Sequence, residues 1–235
     1  MDSIVKVALN LPLYTAFDYS IPSTLSNIKP GVRVVVNFSS KTMVGVVIRK
    51  NYKNEDTKTA YKIKEIDKVI DEEPIIVKDI LKLSYWAAEY YQHPIGQVIF
   101  STIPSSLKLG KKLEVIQTAE EKINLLKKVK LNDSQNLIYQ SIKKNLNIFS
   151  PSLIEGVTGS GKTEIYIKLA QKIINMKGQI LIVVPEINLT PQTLQRFKTY
   201  LAGEIYEYHS SLSEKIKMDT WQKCKSGEIN IIIGT

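Results

Sequence analysis

Eight consecutive residues, GVTGSGKT at 156–163, limit what this chain can fold into more than any other feature. Glycines at the ends of a G-x-x-x-x-G-K-[ST] run let the backbone wrap until successive amides converge on an anion, while Lys and Thr add a cation and a hydroxyl. Such a turn needs a strand leading in and a helix leading out, whose positive N-terminal end strengthens the anion site. The flanking residues predict both, an apolar strand over 152–155 and a helix over 163–176. From Leu131 the rest of the chain alternates in the same way. LNDSQNLIYQSIKKNL reads as a helix capped at Asn132 or Asp133. Beyond the loop come strands over 179–185, 204–208 and 228–233, with helices over 191–200 and 213–225 between them. This alternation specifies a parallel sheet with helices on its faces. In that setting Gly156, Thr158, Gly159, Ser160, Gly161, Lys162 and Thr163 read as a nucleotide-phosphate cradle. Lys162 is the catalytic candidate, reaching the β- and γ-phosphates, and Thr163 ligates Mg²⁺ beside ATP. The alternative is a glycine-rich turn with no ligand.

Residues 1–76 have a different texture. The runs IVKVAL (4–9), FDYSI (17–21), VRVVVNF (32–38), MVGVVIR (43–49) and YKIKEIDKVI (61–70) are β-type, separated by turn residues such as Lys29-Pro30-Gly31 and the stretch 51–56. They predict a small barrel or curled sheet. IVKDILKLSYWAAEYY (76–91) then spaces Ile80, Leu83, Trp86, Ala87 and Tyr90 along one side of a helix that His93-Pro94 closes. Trp86, Tyr90 and Tyr91 read either as a stacking platform or as core, and their helical spacing favours core. KLGKKLEVIQTAEEKINLLKKVKL carries seven lysines against three glutamates and reads as a solvated tether. The expected architecture is multidomain: a β-rich, barrel-like domain over 1–104, a lysine-rich linker over 105–130, and an α/β P-loop lobe with an incomplete parallel sheet over 131–235.

A net charge of +9 points to a polyanionic partner. Only Arg33, Arg49 and Arg196 are arginines among 32 basic residues, so compositional drift toward lysine explains the excess equally well. A single cysteine, Cys224, permits neither an internal disulfide nor a cysteine-built zinc site. No apolar run approaches the ~20 residues needed to cross a bilayer, and MDSIVKVALN is no secretory signal. A cytoplasmic protein without a membrane partner is expected.

GVTGSGKTEIYIKL (156–169), ILIVVPEINLTPQ (180–192), YHSSLSE (208–214) and GEINIIIGT (227–235), in this order, resemble the first motor lobe of the PriA (primosomal protein N′) family. These are bacterial replication-restart DNA helicases of superfamily 2. LPLYTAFDYSIP, VRVVVNF and WAAEYYQHPIGQVIFSTIP resemble that family's DNA-binding domain, so the likeness covers about 4–104 and 131–235. It implies a RecA-like lobe that uses ATP and Mg²⁺ to move 3′ to 5′ on stalled or branched DNA, allowing the replicative helicase to be reloaded. Partners implied are branched or single-stranded DNA, primosome proteins and single-stranded DNA-binding protein, in the cytoplasm at the nucleoid.

By the same likeness Gln135 reads adenine through its amide, although a surface glutamine is the plainer alternative. Thr190, Pro191, Gln192, Gly234 and Thr235 lie against the DNA backbone. His209 and Ser210 form another loop at that edge, or simply pack. Phe17, Asp18 and Lys64 map onto a pocket for a 3′-terminal nucleotide, with an aromatic face, a carboxylate and a phosphate cation; ordinary packing or surface charge is the alternative. Ser39 stands where the family has glycine and is expected to crowd the base.

Two departures bear on activity. The interval 105–130 is too short for the family's winged-helix module. The family's acidic Mg²⁺ motif, its cysteine-rich subdomain with two zinc ions, and its second lobe with an arginine finger have no counterpart in these residues. Zinc is therefore not expected. ATP is expected to bind, with negligible cleavage by this chain alone, since an arginine finger is worth ~10³–10⁵ in rate. An exposed sheet edge is expected to favour association. A motor-dead module that binds forks and 3′ ends remains the alternative to an enzyme, while an unrelated P-loop kinase leaves residues 1–104 unexplained.

Overall fold

Valine and isoleucine at alternate positions give the first fifty residues a face to bury, and an antiparallel sheet buries it. In a computed structural model the described residues are 4–25, 28–51, 63–113, 129–185, 190–201 and 205–235. The chain divides into two units, Met1–Val115 and Ile116–Thr235. Residues 52–56 of the expected turn, most of the lysine-rich run and residues 186–189 lie outside the described residues.

In the first unit, β1 (Ile4–Leu9), β2 (Phe17–Ser20), β3 (Arg33–Phe38), β4 (Lys41–Asn51) and β5 (Ile66–Val69) pair in the order β2-β1-β4-β3-β5. Val5, Val7, Tyr19, Val34, Val36, Val47 and Ile66 fill the concave side. The sheet curls until its edges approach: the Ser20 N–H donates to the Lys64 carbonyl at 2.9 Å, beside a Ser20–Glu65 bridge. Ser39 and Ser40 join β3 to β4 with φ of 45° and 64°. That two-residue turn twists with the strands but favours Asn-Gly, so two serines hold it under strain.

Three helices follow: α1 (Lys78–Tyr90), α2 (Ile95–Ser101) and α3 (Ser105–Lys108). The last two were not anticipated from sequence. Gly96 permits α2 to lie on β1, because a Cβ there would sit 1.7 Å from the Leu9 carbonyl oxygen. The linker expected from residue 105 begins later, since Leu107 is completely buried. Its carbonyl is also part of the unit's most buried polar cluster. Arg33 is fully buried, and its guanidinium grips Asp71 through two bonds, Nε to Oδ2 at 2.9 Å and Nη2 to Oδ1 at 2.5 Å. Nη1 donates to the Leu107 carbonyl at 2.6 Å, while Asp71 also accepts from the Arg33 backbone N–H at 2.9 Å. One arginine thus ties β3, the chain after β5, and α3 together. A guanidinium suits this because its fork satisfies a carboxylate and still has a donor to spare.

Helix α1 corrects the sequence reading. It buries Leu81 and Ser84, not the stripe of Leu83, Trp86 and Tyr90. Ser84 can be buried because its hydroxyl bonds back to the Ile80 carbonyl at 2.8 Å. Small residues let the helix approach closely, and the large ones are left outside. Trp86, Tyr90 and Tyr91 are 53%, 67% and 68% exposed. They pack on one another, with Trp86 stacked on Tyr90 at 5.1 Å between centroids.

In the second unit, α4 (Asp133–Lys143) and α5 (Lys162–Asn175) precede a parallel sheet. The sheet contains β6 (Ile180–Val183), β7 (Tyr206–Tyr208) and β8 (Ile231–Gly234), with β8 central, and the chain between them forms α6 (Thr190–Tyr200) and α7 (Glu214–Ser226). Ile167, Ala170, Phe197, Leu201, Ile231 and Ile233 make the core. Val129, inside the interval 105–130 read as linker, is buried among them. Asn132 caps α4 with a reciprocal bond to Gln135.

The strand expected over 152–155 is not formed, and Leu153 is almost wholly exposed. An isolated extended segment has no ladder to satisfy its backbone groups, and among the described residues none of the three sheet strands pairs with it. β6 is consequently an edge, with Leu181 and Val183 each 69% exposed.

Two outcomes follow from this packing. Asp71→Ala leaves Arg33 as a buried unpaired charge and lowers the stability of the first unit by ~3–5 kcal/mol, measured by denaturant unfolding. Breaking the exposed Lys29–Glu73 pair with Lys29→Ala changes it by less than ~1 kcal/mol. Separately, Leu181→Lys with Val183→Lys lowers self-association of the chain in sedimentation velocity, because lysines blunt an apolar edge.

Candidate nucleotide and DNA sites

The phosphate loop is built by two left-handed glycines. Gly159 and Gly161 both have φ of 82°, a region that other L-residues rarely adopt. They turn the chain so that α5 starts at Lys162, with the first amides of the helix lacking intrahelical acceptors. The Ser160 N–H closes the turn onto the Val157 carbonyl at 3.2 Å. Beside the loop lies a cleft of about 660 Å³. Thr158, Gly159, Gly161, Lys162 and Thr163 line one side of it, and Ile182 to Val184 at the carboxyl end of β6 line another. Gly159 faces open space, with no heavy atom within 4 Å of where a Cβ would stand. These features fit a polyphosphate: free helix amides, a flexible cation, a hydroxyl and room.

Lys162 lies over its own loop, its Nζ donating to the carbonyls of Gly156 at 2.5 Å and Val157 at 3.0 Å. Gln135 also reaches this loop. Its Nε2 donates to the carbonyls of Ser160 at 3.2 Å and Gly161 at 3.4 Å, while its Oε1 accepts from the Asn132 N–H at 2.9 Å. Both ends of that amide are engaged, which ties α4 to the loop. A Cβ on Gly161 would meet Gln135 Nε2 at 2.2 Å, a second reason for glycine there.

Two further charged residues line this cleft, Glu164 and Arg196, neither of which the motif singles out. They form an ion pair between the first turn of α5 and α6. No local pattern joins positions 32 residues apart, so only the fold could reveal it.

The carboxyl edge of the parallel sheet gathers most of the remaining candidates. Gly234 ends β8, opposite Val183 on β6 and Tyr208 on β7. The Val184 N–H donates to the Gly234 carbonyl at 2.8 Å. A Cβ on Gly234 would stand 2.1 Å from the Tyr208 carbonyl oxygen, so glycine lets β7 close up. Thr235 is exposed beyond it, and His209 and Ser210 leave β7 at the same edge. His209 Nε2 is 3.5 Å from Glu207 Oε2, and its Nδ1 is buried without a hydrogen-bond partner. Thr190 opens α6 and Gln192 lies in its first turn, but their side chains fall outside the described residues.

In the first unit the three pocket candidates are placed apart. Phe17 packs inward, its ring 4.6 Å from that of Phe38, while Asp18, the next residue on β2, faces the other way. Asp18 pairs with Lys6 on β1 at 3.0 Å. Lys64 borders a cavity of about 710 Å³ with Asn37, Ser40, Ile63, Glu65 and Asp67, and its Nζ lies 3.5 Å from Asn37 Oδ1. Neither Phe17 nor Asp18 lines that cavity. Lys6 and Asn37 were not singled out from sequence, because cross-strand register selects them.

Comparison with known proteins adds the context. The 3'DNA-binding domain (3'BD) of PriA matches residues 6–104, and the family described as Type III restriction enzyme, res subunit, matches residues 128–235. The Replication restart protein PriA of Borreliella burgdorferi is 35% identical over 97% of this chain and 34% of its own length. That of Haemophilus influenzae is 28% identical over 99% of this chain and 41% of its own length. The chain thus spans roughly a third to two-fifths of the relatives it matches. With a PriA-type 3′ DNA-binding domain leading into a helicase-like lobe, and nearly the whole of this chain aligned with part of these relatives, the chain belongs to the PriA replication restart family.

Proposed function

We propose that the chain binds the 3′ end of a stalled or branched DNA fork through its first unit and Mg²⁺-ATP through its second. In that reading it supplies the front part of a motor that unwinds DNA 3′ to 5′ in replication restart. The observation that carries the nucleotide half is the start of α5 at the lip of an open cleft, framed by left-handed Gly159 and Gly161. Gly156, Thr158, Ser160 and Gly161 offer backbone to the phosphates, Lys162 swings from its loop carbonyls to the β- and γ-oxygens, and Thr163 holds Mg²⁺. Gln135 contributes by fixing the loop against α4, and its amide turns to adenine only by giving up bonds to Ser160 and Gly161. When bound, Mg²⁺ neutralises charge on the phosphates.

The DNA half is supported by family membership and by Lys64, among the described residues the one cation at the rim of a cavity that Glu65 and Asp67 also line. Lys64 takes the terminal phosphodiester; Phe17 and Asp18 lie on opposite faces of β2 and outside that cavity, so one nucleotide meets at most one of them, and Asp18 does so by releasing Lys6. Gly234, Thr235, Thr190 and Gln192 lie along the passing strand at the sheet's carboxyl edge. Primosome proteins and single-stranded DNA-binding protein are the protein partners of this reading, at the nucleoid.

A second reading has its own observation. Residues 151–157 find no strand partner among the described residues, so the lobe lacks the pairing that would brace its loop. In that reading the chain binds forks without motor output. DNA-stimulated ATP turnover separates the two: a Lys162-dependent rate supports the motor, and a rate at background supports the binding module.

Two binding measurements test what the readings share. Lys162→Ala weakens binding of a fluorescent ATP analogue about 10–100-fold, the loss of a charged hydrogen bond, while fork affinity without nucleotide stays unchanged. Lys64→Ala weakens binding to a fork with a free 3′-hydroxyl about tenfold. A fork whose 3′ end carries a blocking phosphate is bound more weakly than the free one, and equal binding by the intact chain defeats the 3′-end assignment.

A further inference from the structure

On the outer face of the first unit the curled sheet sets two cations side by side. Lys6 on β1 lies directly across from Arg49 on β4, with Asp18 of β2 on its other side. Directly opposed residues share a face, their Cβ atoms about 5 Å apart, and like charges so placed repel. Asp18 offsets Lys6 at 3.0 Å. Arg49 is exposed, and among the described residues no carboxylate lies within ion-pair distance of it. The strand pairing is also bulged here: Lys6 faces Arg49 but Val7 faces Val47, so Ile48 is the extra residue. A bulge re-aims the side chains beside it.

Ile48 lines a cleft of about 620 Å³ between the sheet and α1. Lys6, Arg49, Tyr14, Tyr85, Glu89 and His93 line it as well. Glu89 is the one carboxylate among the described lining residues, against two permanent cations and a histidine. Tyr14 and Tyr85 are 69% and 44% exposed. The Tyr14 hydroxyl donates to the Gln92 carbonyl at 3.2 Å, which holds that ring beside the end of α1. Burial pushes the Tyr85 phenol up while the nearby Arg49 charge draws it down, so ring and guanidinium are neighbours. Carbonyls at a helix C-terminus oppose an anion. Here those of Ala87, Ala88 and Glu89 already accept from the N–H groups of Tyr91, His93 and Gln92.

A phosphodiester spans two adjacent cations with its nonbridging oxygens and relieves their repulsion. Tyrosine rings beside those cations suit bases, which stack on an aromatic face whatever their identity. An acidic peptide would engage the cations and leave the rings idle. None of these residues lines the cavity at Lys64, so nothing in the cleft calls for a chain terminus.

We propose that this cleft is a second DNA site of the first unit, which grips an internal stretch of single-stranded DNA. Lys6 and Arg49 hold a phosphate, and Tyr85 and Tyr14 stack the adjoining bases. The site goes beyond the 3′-end reading and does not depend on it.

Binding of a labelled closed-circular oligo-dT by the full chain tests it, since a circle offers no 3′ end. The unaltered chain binds the circle, with affinity falling as salt rises. Arg49→Gln weakens that binding about fivefold and lowers the slope of log affinity against log salt by ~0.7, one phosphate contact on a single strand. Arg49→Lys keeps the slope. Tyr85→Leu weakens binding at least about fivefold at unchanged slope, the loss of one stacked base. Lys108→Gln removes the same charge elsewhere on this unit and stays within about twofold of the unaltered chain. Unfolding midpoints within a few degrees of the unaltered chain show that each variant is folded. Full binding of the circle by Arg49→Gln and Tyr85→Leu overturns the proposal. So does an unaltered chain that leaves the circle unbound, or an equal loss in Lys108→Gln. A poly-glutamate peptide of equal charge that displaces the circle as well as unlabelled oligo-dT does, and loses its own binding in Arg49→Gln, makes the cleft a peptide site and overturns it too.

Discussion

The start of α5 is the constraint from which the second unit takes its form. A helix cannot begin at Lys162 immediately after a reversed turn unless the residues before it accept positive φ, and Gly159 and Gly161 do so at 82°. Their lack of side chains also lets Gln135 reach the loop from α4 and leaves the cleft open on the other side. Once that end is placed, Ile167 and Ala170 on the same helix face Ile231 and Ile233 of the central strand. The phosphate loop and the carboxyl ends of β6 and β8 then share one lip of the sheet, the usual place for a ligand in an open α/β fold.

The first unit depends on a different device. A five-stranded curled sheet closes around valine and isoleucine, and the helices that follow bury Leu81, Ile95, Ile99, Phe100 and Leu107. Arg33 adds a directional constraint on α3, by committing its donors to Asp71 and the Leu107 carbonyl in the interior. A buried pair of this kind is weak as a source of net stability and strong as a penalty on alternatives, since any docking that parts them strands a charge. The same economy shapes α1. Ser84 and its neighbours bring that helix close, and Trp86, Tyr90 and Tyr91 remain outside, satisfied mainly by one another.

Much of this was legible beforehand. All five strands of the first unit were placed near their observed positions, as were three strands and four helices of the second, because periods of two and 3.6 residues were sustained over enough sequence. Besides the short helix α3, three features were not legible. The strand over 152–155 has the right residues but no partner, and strands are stabilised pairwise. Helix α2 hides behind Pro94, and its identity rests on Gly96 meeting the Leu9 carbonyl. The face of α1 was misjudged because bulk is a poorer guide to burial than closeness of approach. Of the site, the phosphate loop was readable as a contiguous motif, and the separate directions of Phe17 and Asp18 follow from strand alternation alone. The pairings of Asp18 with Lys6, Lys64 with Asn37 and Glu164 with Arg196 were not readable, since each joins positions set by register or packing.

By itself the sequence determined the local chemistry: a phosphate-binding turn that only glycines can make, an α/β alternation behind it, and a β-rich head in front, with motif order sufficient to fix the family. Local backbone preference decides these things, and it is written in neighbouring residues. Tertiary structure alone decided which charges meet, which aromatic residues face water and which strand lacks a partner. Those outcomes depend on contacts between segments distant along the chain, where the energy of a charge or a backbone amide is set by what the rest of the fold brings beside it.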